Sequence, residues 1–213
     1  MTDMEENGAE APRVEIAACR AAHERLSDRV ETVDDLVMRR PSRLPGWTVG
    51  HVLTHVARNA DSFVRVLEAA AEGRSVSQYP GGTAQRNGEI ETGAQRNSAA
   101  IVKDVRSSSE RLNSTFAGTL PEVWRATWDA GNGRTLRYAE LPWRRLREVE
   151  FHHVDLGLGY EMTTWSDEFV MMALHDSLKR LPERIEDEEQ RLAFLAWVAG
   201  RRESPGEITL TPF

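Results

Sequence analysis

The sequence predicts a mainly α protein: a four-helix bundle over residues 13–159 and a small α/β lobe over residues 160–213. Three observations carry this reading. Long segments of the first part repeat apolar residues at helical spacing. Prolines and glycines punctuate the intervals between them. Beyond residue 160 the helical segments are shorter, and the chain ends on EITLTPF, which alternates like a short strand. The acidic MTDMEENGAE and the two residues after it, 1–12, are expected to form a flexible leader with no apolar core of the kind a secretory signal needs.

The first helix is expected over 13–38, with Ala18, Ala22, Leu26, Val30, Val33 and Val37 on one face. RRPSRLPGW breaks it with two prolines and a glycine. Thr48 is a fitting N-cap for a second helix that runs to Gly73. SVSQYPGGTAQRNG reads as a loop. The third helix is expected over 93–117, with Ile101, Val105, Leu112 and Phe116 aligned. VWRATWDAGNGRTLRY suits a short hairpin turning at Asn132-Gly133. The fourth helix is expected over 138–156, with Pro142 in its first turn, where proline is tolerated. In the lobe, one helix is expected over 166–181, capped at Ser166 or Asp167 and stopped by Pro182. Another spans 187–199 and ends at Gly200.

Composition removes several classes of function. The net charge is −7, whereas nucleic-acid binders show a basic surplus. No apolar run approaches membrane-spanning length. Cys19 is the single cysteine, so no internal disulfide forms, and a reducing cytoplasm fits. Of 27 basic residues only Lys103 and Lys179 are lysines, a bias that accompanies GC-rich coding.

RLREVEFHHVDLGLG, residues 145–159, concentrates the chemistry. At roughly 100° per residue, Glu148, His152 and Asp155 fall on one stripe of the fourth helix. His153 points toward the side of Leu146 and Val149, and Glu150 nearly opposite His152. A carboxylate and an imidazole one turn apart can reach one ion, or simply make a surface pair. Asp155, one turn on, is placed to orient a ligand or to bind substrate. A third ligand must come from elsewhere. On the second helix His51 lies outside the apolar stripe, toward solvent. His55 lies at its edge beside Val52 and Asn59, a position that suits either an ordinary boundary histidine or a ligand in a cleft. With Glu148 and His152 it completes a set of two histidines and one carboxylate, usual for a catalytic divalent metal. His23 and His175 read as ordinary helix residues, and Trp47, Trp143 and Trp197 as core packing.

Four stretches resemble the DinB/YfiT-like metal-binding four-helix bundles, and among them the mycothiol-dependent maleylpyruvate isomerase branch. They are LPGWTVGHVLTHVARNAD, REVEFHHVDLG, QRNGEI and WVAGR. The resemblance implies a DinB-like bundle whose metal ligands are His55, Glu148 and His152. It implies zinc as the ion and mycothiol as a thiol cofactor, with the thiolate bound to zinc and attacking an electrophile. For maleylpyruvate, the thiolate adds to the cis double bond, the resulting single bond rotates, and elimination yields the trans product. Arg201, in WVAGR, is implied as the catalytic, substrate-holding arginine. Arg86 is a second cation for a dianionic substrate. Asn59 and Asp155 join them as candidate substrate- or cofactor-binding residues. The segment between the two lobe helices and the tail after Arg201 are short for the branch. A mycothiol S-transferase, a thiol-exchange enzyme and a metal-stabilised binding or regulatory module stay open as alternatives. The expected partners are a small thiol and a small electrophilic or carboxylate substrate, with no nucleic acid or membrane; monomer and dimer are both open.

Overall fold

The fold, a computed structural model, describes residues 11–129 and 135–210. The expected leader therefore falls almost wholly outside the described residues, as does the Asn132-Gly133 turn. The chain divides into two compact units, 1–162 and 163–213.

In the first unit the long helices are α1 (Arg13–Val30), α3 (Val49–Ala71), α5 (Ser98–Gly118) and α7 (Leu141–Asp155), with α2 (Asp35–Met38), α4 (Gly82–Ala94) and α6 (Pro121–Arg125) between them. The fold is mainly α and DinB-like. Helix α3 is the central one, packing against α5, α4 and α7, while α1 packs on α7 and α5. Its apolar residues Val52, Leu53, Val56, Ala57 and Ala60 are at most 1% exposed. Their burial from water is the main force closing the bundle. A charged lattice adds to the α3–α5 seam: Arg58 bonds Asp104 at 2.7 Å, and Arg96 reaches the other oxygen of Asp104 at 2.7 Å.

Three expectations along this unit are corrected. The helix expected over 13–38 stops at Val30 and restarts at Asp35. Asp34 adopts an extended backbone and accepts a hydrogen bond from the Val37 amide at 2.8 Å. Local capping by an aspartate thus overrides apolar periodicity that continues through the break. The stretch expected as a loop is helical in its second half, from Gly82. Gln85 starts it by accepting from the Gly81 amide at 2.7 Å. Glycines at 82, 88 and 93 weaken the helical signal of this segment, and its packing stabilises it instead. A Cβ on Gly93 would lie 2.4 Å from Thr54 Cγ2, and one on Gly50 would lie 3.2 Å from the Ala94 carbonyl oxygen. Backbones of α3 and α4 therefore approach closely where neither glycine interposes a side chain. Third, the helix expected from residue 93 is two helices. Asn97 caps α5 by accepting from the Ala100 amide at 2.8 Å, and Arg39, just after α2, donates to the Ala94 and Gln95 carbonyls that end α4.

The hairpin is present as β1 (Thr127–Asp129) paired antiparallel with β2 (Thr135–Arg137), Trp128 opposite Leu136. Thr48 caps α3 as expected. A 3₁₀ turn at Tyr138–Glu140 leads into α7, with Pro142 in its first turn.

The second unit holds α8 (Asp167–Arg184) and α9 (Glu188–Val198). Ser166 caps α8 and Asp187 caps α9. Helix α8 runs through Pro182 rather than stopping before it. So near the helix end the proline forfeits only the bond to the Leu178 carbonyl. Gly200 has φ +66°, and the Arg201 amide closes the end of α9 by donating to the Ala196 carbonyl at 2.7 Å. The alternating tail, 207–210, belongs to no sheet among the described residues, and 211–213 lie outside them. Among the described residues, no helix is long and apolar enough to cross a membrane.

The α3–α4 approach generates a prediction. Alanine at position 93 gains roughly 1 kcal/mol of helix propensity over glycine. The close contact with buried Thr54 costs about 1–3 kcal/mol. We expect Gly93→Ala to be a net loss in urea denaturation; equal or greater stability shows that the approach is not tight.

Candidate metal centre

Helices α3 and α7 bring the three expected ligands together. One ligand atom each from His55, Glu148 and His152 lies within 4.8 Å of the others. His55 is 4% exposed and sits where α3 turns from core to cleft. Its Nε2 is 3.0 Å from Glu148 Oε2. His152 Nε2 is 3.6 Å from the same oxygen. The two imidazoles meet edge to face, 4.7 Å between centroids. Asp155 accepts from His152 Nδ1 at 2.8 Å, which fixes that ring and turns its Nε2 toward Glu148.

Arg86 on α4 approaches His55 Nδ1 at 3.1 Å. A guanidinium only donates, so Nδ1 carries the lone pair here and Nε2–H donates to Glu148. Trp47 stands edge-on to the His55 ring at 5.6 Å. The electrostatics follow from this packing. Burial opposes charge on Glu148, but hydrogen bonds from His152 and His55 hold its carboxyl well below the ordinary range. Burial also opposes charge on His152, yet its bonds to Asp155 and Glu148 carry it up to about 9. Burial pushes His55 down, against the pull of Glu148.

The remaining candidates divide. Asp155 orients His152. Asn59 is buried, and its Oδ1 accepts from Arg145 at 2.8 Å. Arg86 reaches the centre. Arg201 lies in the second unit, exposed, its guanidinium donating to its own chain at the Ala199 carbonyl, 3.2 Å away. His153 faces away from the triad, as the helical wheel indicates. It is buried and stacks on Tyr160 at 3.8 Å. Glu150 is also buried, held by Arg25 and by the Tyr160 hydroxyl, which donates at 2.6 Å.

Several residues depart from expectation. His51 is half-buried rather than solvent-facing. Its Nδ1 accepts from the Thr48 amide at 3.2 Å, completing a capping box, and its Nε2 is 3.1 Å from Glu91. Trp47 and Trp143 are only half-buried and Trp197 is 43% exposed; the tryptophans in the core are Trp124 and Trp128. His23 is on a helix, as expected, but is more than an ordinary helix residue. It is 2% exposed and lies in a polar knot behind the centre, with Nδ1 2.8 Å from Asn113 Oδ1 and Nε2 accepting from Arg145 Nε at 2.9 Å. Burial, reinforced by the Arg145 charge, pushes His23 down to about 3. Cys19 is in the same knot, and burial pushes its thiol up to about 12. No wheel argument identifies this knot, because its members come from α1, α3, α5 and α7.

A mainly α bundle with a two-histidine, one-carboxylate centre between its helices is the class that fold and site define. Residues 19–157 match the family model described as the mycothiol maleylpyruvate isomerase N-terminal domain. That match spans more than half of the chain, and the protein belongs to this family. Among solved structures, the fold matches the crystal structure of a mycothiol-dependent maleylpyruvate isomerase with a TM-score of 0.78 at 23% identity, over 94% of this chain and 96% of that one. It matches a histidine-to-alanine mutant of that isomerase with a TM-score of 0.78 at 22% identity and the same coverage. At these identities the likeness establishes the fold. No curated protein matches the chain.

The buried histidine behind the centre predicts an acid limb in stability. An unfolded chain protonates His23 near its ordinary 6.5, while the folded chain resists until about 3. Its folded pKa is depressed, so its contribution is fully present above about 6.5 and is lost as pH falls toward 3. His23→Gln removes this loss. The stability difference between parent and His23→Gln, from urea denaturation, is expected to shift against the parent as pH drops below about 6.5; a difference constant with pH refutes it.

Proposed function

We propose that this protein is a mycothiol-dependent metalloenzyme that isomerises the cis double bond of maleylpyruvate or a related unsaturated keto acid. The observation that carries this reading is the convergence of His55, Glu148 and His152 within 4.8 Å, in a chain of this family. The donor set fits a divalent metal. Two imidazoles and one carboxylate converge from two rigid helices, and Asp155 supplies the outer hydrogen bond that such ligands use. Zinc is the ion this set suits best. When bound there, zinc would acidify a thiol so that it is a thiolate at neutral pH.

The chain's own residues supply the rest. Cys19 is not the nucleophile: it is buried, and its thiol is pushed up to about 12. The attacking thiol must come from a small molecule, which agrees with mycothiol. Arg86, beside His55, is the cation placed for a substrate carboxylate, through the planar fork that a carboxylate matches. Arg201 is proposed as the second carboxylate partner on the strength of its sequence motif alone. Asp155 keeps His152 in one orientation, and Trp47 walls the centre on the His55 side. The comparisons do not favour the transferase, thiol-exchange or non-enzymatic alternatives.

Incubating the zinc-loaded protein with mycothiol and maleylpyruvate tests the proposal. Trans product with the thiol recovered unchanged supports it. A stable thioether adduct makes the protein a transferase, and no turnover across a panel of electrophiles makes it a binding module.

Three further outcomes follow. His55→Ala is expected to lower metal affinity by at least about 10-fold, read as metal content by elemental analysis. His51→Ala and His153→Ala should retain the metal, and chelation should lower the melting temperature of the parent, because a ligand of the folded state alone stabilises that state. Full occupancy in His55→Ala ends the ligand assignment. Arg201→Lys should keep normal metal content but lose about 10-fold or more in kcat/KM toward a dicarboxylate, and far less toward an uncharged electrophile. Parent-like kinetics on the dicarboxylate would remove Arg201 from the site.

A further inference from the structure

Arg145 lies on α7, three residues before Glu148, and is wholly buried. A buried guanidinium is expensive unless its hydrogen bonds are well used. Here they go to neutral acceptors. Nη1 donates to the Val56 carbonyl at 2.8 Å and to Asn59 Oδ1 at 2.8 Å, both on α3. Nε donates to His23 Nε2 on α1 at 2.9 Å, and His23 is held in turn by Asn113 on α5. Nη2 is buried and has no hydrogen-bond partner among the described residues. One side chain thus spans from α7 to α3 and α1, and through His23 to α5.

What it spans is specific. Val56 directly follows His55, and Arg145 precedes Glu148 by about one turn. The bond from Arg145 to Val56 therefore joins the turn of α3 that carries one expected ligand to the turn of α7 that carries another. We propose that Arg145 is a positioning residue for the metal centre: its clasp on Val56 and Asn59 sets the α3–α7 spacing at which His55 and Glu148 converge. The inference rests on reading the triad as a metal site. A methionine would fill much of the same volume, but it makes no directed bond to either acceptor. A lysine keeps the charge, but its single nitrogen cannot reproduce the fork that reaches Val56, Asn59 and His23 together.

The roles of the neighbours agree with this. His23 accepts from Arg145 at Nε2, so its proton is on Nδ1 and is donated to Asn113 Oδ1. A protonated His23 would present a donor to a donor. The neutral state that burial enforces is the state the clasp needs.

The test measures zinc affinity by competition with a chromophoric chelator, and the absorption spectrum of the cobalt-substituted protein. It compares the parent with Arg145→Lys, Arg145→Met and Asn59→Ala. Leu112→Ala, a core truncation in α5 away from the ligands, serves as the control for lost stability alone. All are measured at temperatures where circular dichroism shows a folded chain. Arg145→Lys and Asn59→Ala are expected to bind zinc about 10- to 100-fold more weakly, with an altered cobalt spectrum. Leu112→Ala should melt earlier yet keep parental affinity and spectrum. If Arg145→Met fails to fold, the lysine and Asn59 variants still decide. Parental affinity and spectrum in both of them overturns the clasp, as does an equal loss in Leu112→Ala. A parent that binds neither zinc nor cobalt sinks the metal reading itself, and the clasp with it.

Discussion

The contact between α3 and α7 is the constraint on which the rest of the first unit depends. These helices carry His55 on one side and Glu148 with His152 on the other. Apolar burial along α3 brings the helices together, but it is non-directional and tolerates sliding. Directed bonds remove that freedom. Arg145 reaches Val56 and Asn59 on α3, and Glu148 takes the His55 proton donor at 3.0 Å.

Around this pair, the lesser elements act as supports. Helix α4 lies close on α3 because Gly50 and Gly93 leave room for it, and that approach delivers Arg86 to His55. Arg39, the residue that follows α2, donates to the carbonyls at the end of α4. The loop before α3 is tied to the end of α7 by the Arg43 amide, which donates to the Asp155 carbonyl at 2.8 Å. Trp47 in that loop thereby comes to stand beside His55. His51 performs a different service from His55 one turn away: it caps the helix start and fixes the first turn of α3.

The two faces of α7 show how adjacent residues divide labour. His152 is held by Asp155 and Glu148 and carried up to about 9, while His153 is stacked on Tyr160 and pushed down to about 4 by burial and by Arg29 and Arg25. A rotation of roughly 100° per residue separates a cleft-facing imidazole from a core-facing one. Glu150 belongs to the core face too, where Arg25 and Tyr160 satisfy it. Two histidines and two glutamates within six residues thus serve one face of chemistry and one of packing.

Much of the site was legible in the sequence by itself. Helical spacing set Glu148, His152 and Asp155 on one stripe, set His153 and Glu150 off it, and put His55 at the edge of the α3 stripe. These relations depend only on the geometry of a single helix, which the sequence dictates wherever periodicity is strong. The four main helices were legible for the same reason, though not all of their bounds, and the hairpin was legible from the Asn132-Gly133 pair in its sequence. What the sequence could not decide involves partners distant along the chain. Helix α4 is glycine-rich and polar, so its stability comes from lying against α3 rather than from its own propensity. The break at Asp34 is a local capping bond that defeats an unbroken apolar pattern. The knot of Cys19, His23, Asn113 and Arg145 draws on three helices, with α3 accepting from it as a fourth. No single-helix projection reveals that a basic residue points into it. Tertiary packing decided these points, because burying a guanidinium or a glycine-rich helix face is favourable only when the complementary acceptor or backbone arrives from another helix.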